Sequence, residues 1–148
     1  MAILDINTLL SDSVAITSTG TTYSDLLNYK SAAVTTSKDA PLGVNSDAAK
    51  GNPLLLWARV DQTFDSGGAG TLTATLQTAT DEAFTSPVDL VTSPAKLKAA
   101  LQAGDYILPQ TVPYGGLGWY RIKYVVAAAA MTAGKVTAGI TMGHQSNG

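Results

Sequence analysis

Alternation with a period of two residues is the feature that most restricts how this chain can fold. Successive side chains of a strand point to opposite sides of a sheet, so a half-buried strand reads apolar, polar, apolar. Over residues 71–78, Leu72, Ala74 and Leu76 share one side, while Thr71, Thr73, Thr75 and Gln77 share the other. Tyr120, Ile122, Tyr124 and Val126 alternate with Trp119, Arg121 and Lys123. Val136, Ala138, Ile140 and Met142 alternate in turn with Lys135, Thr137, Gly139 and Thr141. These two strands are expected to flank a turn near residues 132–134. In residues 54–61, Leu54, Leu56, Ala58 and Val60 fall on one face and Leu55, Trp57, Arg59 and Asp61 on the other; an apolar start on both faces suits the end of a central strand.

Shorter strand patterns occur at residues 14–18, 88–91 and 106–108. Glycine clusters at 67–70 and 115–118 supply the positive φ that tight loops need, and Pro53, Pro87, Pro109 and Pro113 bound strands rather than interrupt them. One short helix is expected after Ser93. Ser93 can cap it, Pro94 fits its first turn, Leu97 and Leu101 lie four residues apart on one face, and Gly104 stops it. About eight short strands with one helical crossing describe an all-β fold, a single antiparallel β-sandwich of jelly-roll type.

The 148 residues fit one domain, 1–148, with an N-terminal arm at 1–10 and a long loop at 29–51 that shows no periodicity. Only 14% of the residues are charged, against about 25% in a typical soluble domain. A surface so poor in charge suits burial against partners. A net charge of -2, with nine Lys and Arg scattered singly, gives no field that would concentrate a polyanion, so nucleic acid is not an expected partner. With no cysteine there is neither a disulfide framework nor a thiolate metal site. The first residues lack a basic region and an apolar run of signal-peptide length, and no stretch approaches the roughly 20 residues of a spanning helix. The expectation is a soluble chain made in a cytoplasm, with no membrane partner.

The residues that carry chemistry elsewhere are not arranged for it here. His144 is the sole histidine and lies near the chain end, and no Gly-x-Ser-x-Gly elbow accompanies it. Asp61 with Asp65, and Asp81 with Glu82, are spaced as carboxylate pairs, yet each falls at a strand end or turn, where aspartate serves turn geometry. Asp61 and Asp65 lack the dense oxygen spacing of a calcium loop, and the glycine clusters lack the lysine and helix of a phosphate cradle. No catalytic residue, cofactor or metal is expected. Trp57 and Trp119 stand on the polar sides of their strands beside Arg59 and Arg121, a composition that suits a protein contact. The aliphatic cluster Ile3, Leu4, Ile6, Leu9 and Leu10 belongs to no strand face and is a second contact candidate.

The order of segments resembles the jelly-roll capsid cement, or decoration, proteins of tailed phages. The segments are Leu10-Ser11-Asp12-Ser13-Val14-Ala15-Ile16-Thr17, then residues 71–78 followed by Ala83-Phe84-Thr85-Ser86-Pro87, and Ala103-Gly104 ahead of Leu108-Pro109. Trp119-Tyr120-Arg121-Ile122-Lys123-Tyr124 and Thr132-Ala133-Gly134-Lys135-Val136-Thr137-Ala138 complete the series. The segment 29–51 is longer than the family's usual link at that point. The resemblance implies a non-enzymatic subunit, a homotrimer, that binds the major capsid protein on the outside of an assembled icosahedral shell and stabilises it, and so a location on the virion capsid surface. Three linked weak contacts become tight through high effective concentration, and matching symmetry supplies selectivity. The alternative is a carbohydrate-binding β-sandwich module of a phage fibre or spike, which needs an exposed aromatic platform; a small enzyme is a distant third.

Overall fold

The computed structural model describes residues 9–28 and 54–141. Among them the strands are β1 (Leu9–Ala15), β2 (Gly20–Tyr23), β3 (Leu27–Asn28), β4 (Leu55–Ser66), β5 (Thr71–Ala79), β6 (Val88–Thr92), β7 (Lys96–Leu97), β8 (Trp119–Ala127) and β9 (Met131–Thr141). All pairings between them are antiparallel. One sheet has the order β1-β9-β4; the other has β2-β8-β5-β6, with β3 also on β8 and β7 also on β5.

The first sheet gains a fourth, irregular strand. Residues 101–112 run antiparallel to β4: the Leu56 N–H donates to the Gln110 carbonyl at 3.2 Å, Ile107 to Ala58 at 2.9 Å, Val60 to Asp105 at 2.9 Å, and Phe64 to Leu101 at 3.0 Å. Pro109 has no N–H to give, which is tolerated at a sheet edge and keeps the ladder incomplete. With this edge counted, the pairs nest around the β5–β6 hairpin: residues 101–112 return on β4, β8 on β2, and β9 on β1. The described strands form one long antiparallel ribbon rolled into two sheets, each four strands across, with β3 and β7 as short additions to the second; this is the jelly roll.

The period-two pattern places the core as expected. Leu56, Ala58 and Val60 of β4, Leu72, Ala74 and Leu76 of β5, Tyr120, Ile122 and Tyr124 of β8, and Val136, Ala138 and Ile140 of β9 are all fully buried between the sheets. Each large side chain among them contributes roughly 1.5–3 kcal/mol by leaving water. The polar tip of buried Tyr124 meets the Ser11 hydroxyl at 3.0 Å, so neither oxygen is orphaned in the core. Met142, assigned to the β9 face from sequence, lies outside the described residues.

Four expectations change. The helix after Ser93 does not form: Lys96 and Leu97 pair with Leu72 and Thr71 of β5, and only a 3-10 turn, Lys98–Ala100, follows. Ser93 is buried and its hydroxyl accepts the Ala74 N–H at 3.0 Å instead of capping a helix; Leu97 turns to solvent while Leu101 enters the core. Sheet pairing has overridden a local helical preference. The turn between β8 and β9 lies at residues 128–130, where Ala128 takes a positive φ of 67°, rather than at 132–134. The weak strand at 14–18 begins earlier and ends at Ala15. Finally, Leu9 and Leu10 are not part of a free arm. Both belong to β1, and Leu10 is fully buried in the core, so it cannot serve as an outer contact.

The loops at one end of the roll are tied together. The Met131 N–H donates to the Thr17 carbonyl at 2.9 Å, the Ser66 hydroxyl to the Ala130 carbonyl at 2.9 Å, and the Lys98 ammonium to the Ser66 carbonyl at 2.9 Å. At the other end lie the start of β1, the start of β4, the end of β9, the 80–87 connection and the residues leading into Trp119.

Candidate functional site

What distinguishes the surface is a polar row across the outer face of the second sheet. Because Tyr120, Ile122 and Tyr124 point inward, β8 must present Trp119, Arg121 and Lys123 outward. The register sets Gln77 of β5 opposite Arg121, Asp89 of β6 opposite Gln77, and Tyr23 of β2 opposite Lys123, one diagonal step from Arg121. The Arg121 Nε–H donates to Gln77 Oε1 at 2.9 Å, and the Gln77 amide donates to Asp89 Oδ1 at 2.7 Å. Lys123 approaches the other Asp89 oxygen at 3.9 Å.

Two aromatic rings complete the site. The Arg121 guanidinium carbon lies 3.8 Å from the centroid of the Tyr23 ring and 4.1 Å from that of Phe84. Stacking of this kind adds roughly 0.5–2 kcal/mol per ring, more as water is excluded. Phe84 comes from the β5–β6 connection and adopts a positive φ of 51°, unusual for a bulky residue. A turn holds it there: the Phe84 N–H donates to the Asp81 carbonyl at 3.1 Å, and the Thr85 hydroxyl and N–H both donate to the Asp81 carboxylate. Those bonds, the hydroxyl's first, keep the Asp81 carboxyl below the usual carboxylate range. The strained backbone is thus fixed by its neighbours, and it buries the Phe84 ring against Arg121.

The outer face of the first sheet carries a second, simpler cluster. Trp57 projects outward from β4 opposite Gly139, which has no side chain to compete for the space. Its indole N–H donates to the Tyr106 hydroxyl at 3.0 Å, and the Arg59 guanidinium lies 5.9 Å from the Trp57 ring centroid. Nearby the Thr137 hydroxyl, which receives the Ser13 N–H at 2.9 Å, donates to the Asp61 carboxylate.

The residues singled out from sequence are therefore divided. Trp119 and Arg121 lie on one outer face, Trp57 and Arg59 on the opposite one, so no single contact patch or sugar platform joins the two tryptophans. Leu9 and Leu10 lie in β1, and Ile3, Leu4, Ile6, His144 and the loop 29–51 are outside the described residues. The acidic pairs have separate structural partners: Asp61 binds Thr137, Asp65 binds Lys98 and the Ser66 N–H, and Asp81 binds Thr85. Among the described residues no group of three His, Cys, Asp or Glu is placed to hold a metal ion. Phe84, Gln77 and Asp89 were not singled out as site residues from sequence. Only sheet register and a loop's return bring them to Arg121.

Comparison with known proteins gives one family. A family model described as Bbp16 matches residues 10–140, a span that includes both sheets and both outer clusters. No curated protein matches the chain.

Proposed function

Because the chain belongs to the Bbp16 family and folds as a jelly roll, we propose that it is a structural virion protein. It binds the outside of an assembled icosahedral phage capsid as a closed homo-oligomer, a trimer at three-fold positions, and stabilises the shell. The observation that carries this reading is the pre-formed arginine and aromatic cluster on the outer face of the second sheet. Arginine and aromatic residues are the types enriched where proteins meet, and they supply most hot-spot energy. Ordering them before contact spares the entropy that flexible surface chains lose on binding. The resemblance of its order of sequence segments to that of tailed-phage cement proteins supports the same reading.

Co-sedimentation of the purified protein with purified capsids tests it, alongside its mass by light scattering. Saturable binding by a species of about three subunits is expected; a monomer that stays in the supernatant overturns the proposal. A variant lacking residues 2–8 measures what Ile3, Leu4 and Ile6 add. The deletion stops there because Leu10 is part of the core.

A further inference from the structure

Among the described residues Arg121 is ordered without a carboxylate to neutralise it. Among the described residues the ion pairs are Lys98 with Asp65 and Lys123 with Asp89, and neither includes Arg121. Asp89, the carboxylate of its own row, is engaged by Gln77 on one oxygen and faces Lys123 with the other. Among the described residues only the Nε–H of the guanidinium is taken, by Gln77. The two terminal amino groups hold its four remaining donors in one rigid plane. A half-buried cation without an opposite charge is unfavourable, and a long side chain on an outer sheet face normally escapes by swinging into water. Here Tyr23 and Phe84 prevent that, the second from a strained backbone.

We propose that Arg121 is a pre-ordered receptor for one carboxylate, an Asp or Glu side chain of a protein partner, gripped in bidentate fashion by its two terminal amino groups. Planar fork-to-fork pairing is the recognition that a stacked guanidinium offers and an ammonium does not. The row does not suit a polyanion: its other cation, Lys123, already faces Asp89, so the described residues of the row offer one uncompensated positive charge, enough for a single carboxylate and not for a run of phosphates. The shell-binding reading supplies the identity of the partner, a capsid subunit, while the carboxylate follows from the site alone.

Two measurements keep those parts separate. In the first, the side-chain N–H signals of the chain's two arginines are followed by nitrogen-15 NMR during titration with sodium acetate, against sodium chloride at equal ionic strength. Arg121 should shift saturably with acetate and exposed Arg59 should not; Phe84→Leu, which retains the arginine but removes one ring, should weaken the response. Equal behaviour of the two arginines overturns the receptor, whatever the shells do. In the second, Arg121→Ala and Arg121→Lys are sedimented with purified empty shells after melts establish that both are folded. Loss of one partner from a desolvated charge pair predicts at least about a 30-fold weaker affinity for Arg121→Ala, and Arg121→Lys should fall well short of the wild type because it restores charge without the fork. If Arg121→Ala binds shells like the wild type, Arg121 is not the anchor although shell binding stands. If the wild type ignores shells but shows the acetate response, shell binding falls and the carboxylate receptor stands.

Discussion

Gly134 is the position where one added methyl group should do most damage. Between the pairs Gln62 with Lys135 and Asp65 with Ala133, two residues of β4 face one of β9, and that one is Gly134. Phe64 fills the space over it. A Cβ on Gly134 would lie 2.2, 2.4 and 2.5 Å from three atoms of the Phe64 ring, well inside contact distance, and the glycine's φ of 141° is one that other residues rarely adopt. The ring has little freedom to retreat, since Phe64 is 2% exposed and its N–H is bound to the Leu101 carbonyl. Backbone strain of about 1–3 kcal/mol and overpacking of about 1–3 kcal/mol together give Gly134→Ala a cost of roughly 2–6 kcal/mol. At 2–4 °C per kcal/mol for a chain of this size, the melting temperature should fall by roughly 5–20 °C. Guanidinium unfolding followed by circular dichroism measures the change, and a cycle with Phe64→Ala divides it. Removing the ring relieves the clash but not the strain, so the double variant should be more stable than the sum of the single effects by at least about 1 kcal/mol. A Gly134→Ala variant within about 0.5 kcal/mol of the wild type, or strict additivity, refutes this account.

Burial pushes the Tyr124 phenol well above the ordinary tyrosine value of 10.0, the Ser11 hydrogen bond opposing the shift only in part. A raised folded-state pKa stabilises the fold below the unfolded value, and that contribution is lost as pH climbs toward the folded one; absorbance at 295 nm should therefore show at least one of the six tyrosines silent near pH 11 until the chain unfolds. Asp65 titrates below the usual carboxylate range because the Lys98 ammonium and the Ser66 N–H bind it, so its small contribution is present above that range and fades as pH falls through the lowered value. Lys98→Met should move the Asp65 carbon-13 titration upward, and an unmoved curve would remove Lys98 as the cause. Ile122→Ala, which empties a fully buried site on β8, should cost about 2–5 kcal/mol in chemical denaturation; a loss under about 1 kcal/mol would mean that the inward face of β8 is wrongly assigned.

Much of the fold was written in the chain because sheet burial and sequence share one period. Leu72, Ala74, Leu76, Tyr120, Ile122, Tyr124, Val136, Ala138 and Ile140 were legible as inward residues, and all are buried. Trp57, Arg59, Trp119 and Arg121 were legible as outward for the same reason. The helix expected after Ser93 failed because its signals were local. Capping and spacing describe what a segment prefers alone, whereas Lys96 and Leu97 gain backbone partners on β5 that a helix there would forgo. Leu10 misled in the other direction: β1 is broken by register shifts on both sides of Ser11, and Ser13 has a positive φ, so the alternation that would mark a strand is scrambled.

The sequence by itself thus determined that this is a β-sandwich and, for the long alternating strands β4, β5, β8 and β9, which side chains face its interior and which face away. It did not determine which outward residues meet. Period two assigns a face to each residue of a strand but says nothing of which strands are neighbours or how they are offset, and those depend on pairings across 44 positions for Gln77 with Arg121 and 98 for Ser24 with Ile122. Only the rolled ribbon sets Gln77 and Asp89 in one row with Arg121, returns Phe84 over the guanidinium, and puts the two tryptophans on opposite faces. A site built across strands is a property of register, and register is decided by the packed core as a whole, since a slip of one residue would turn every buried side chain outward.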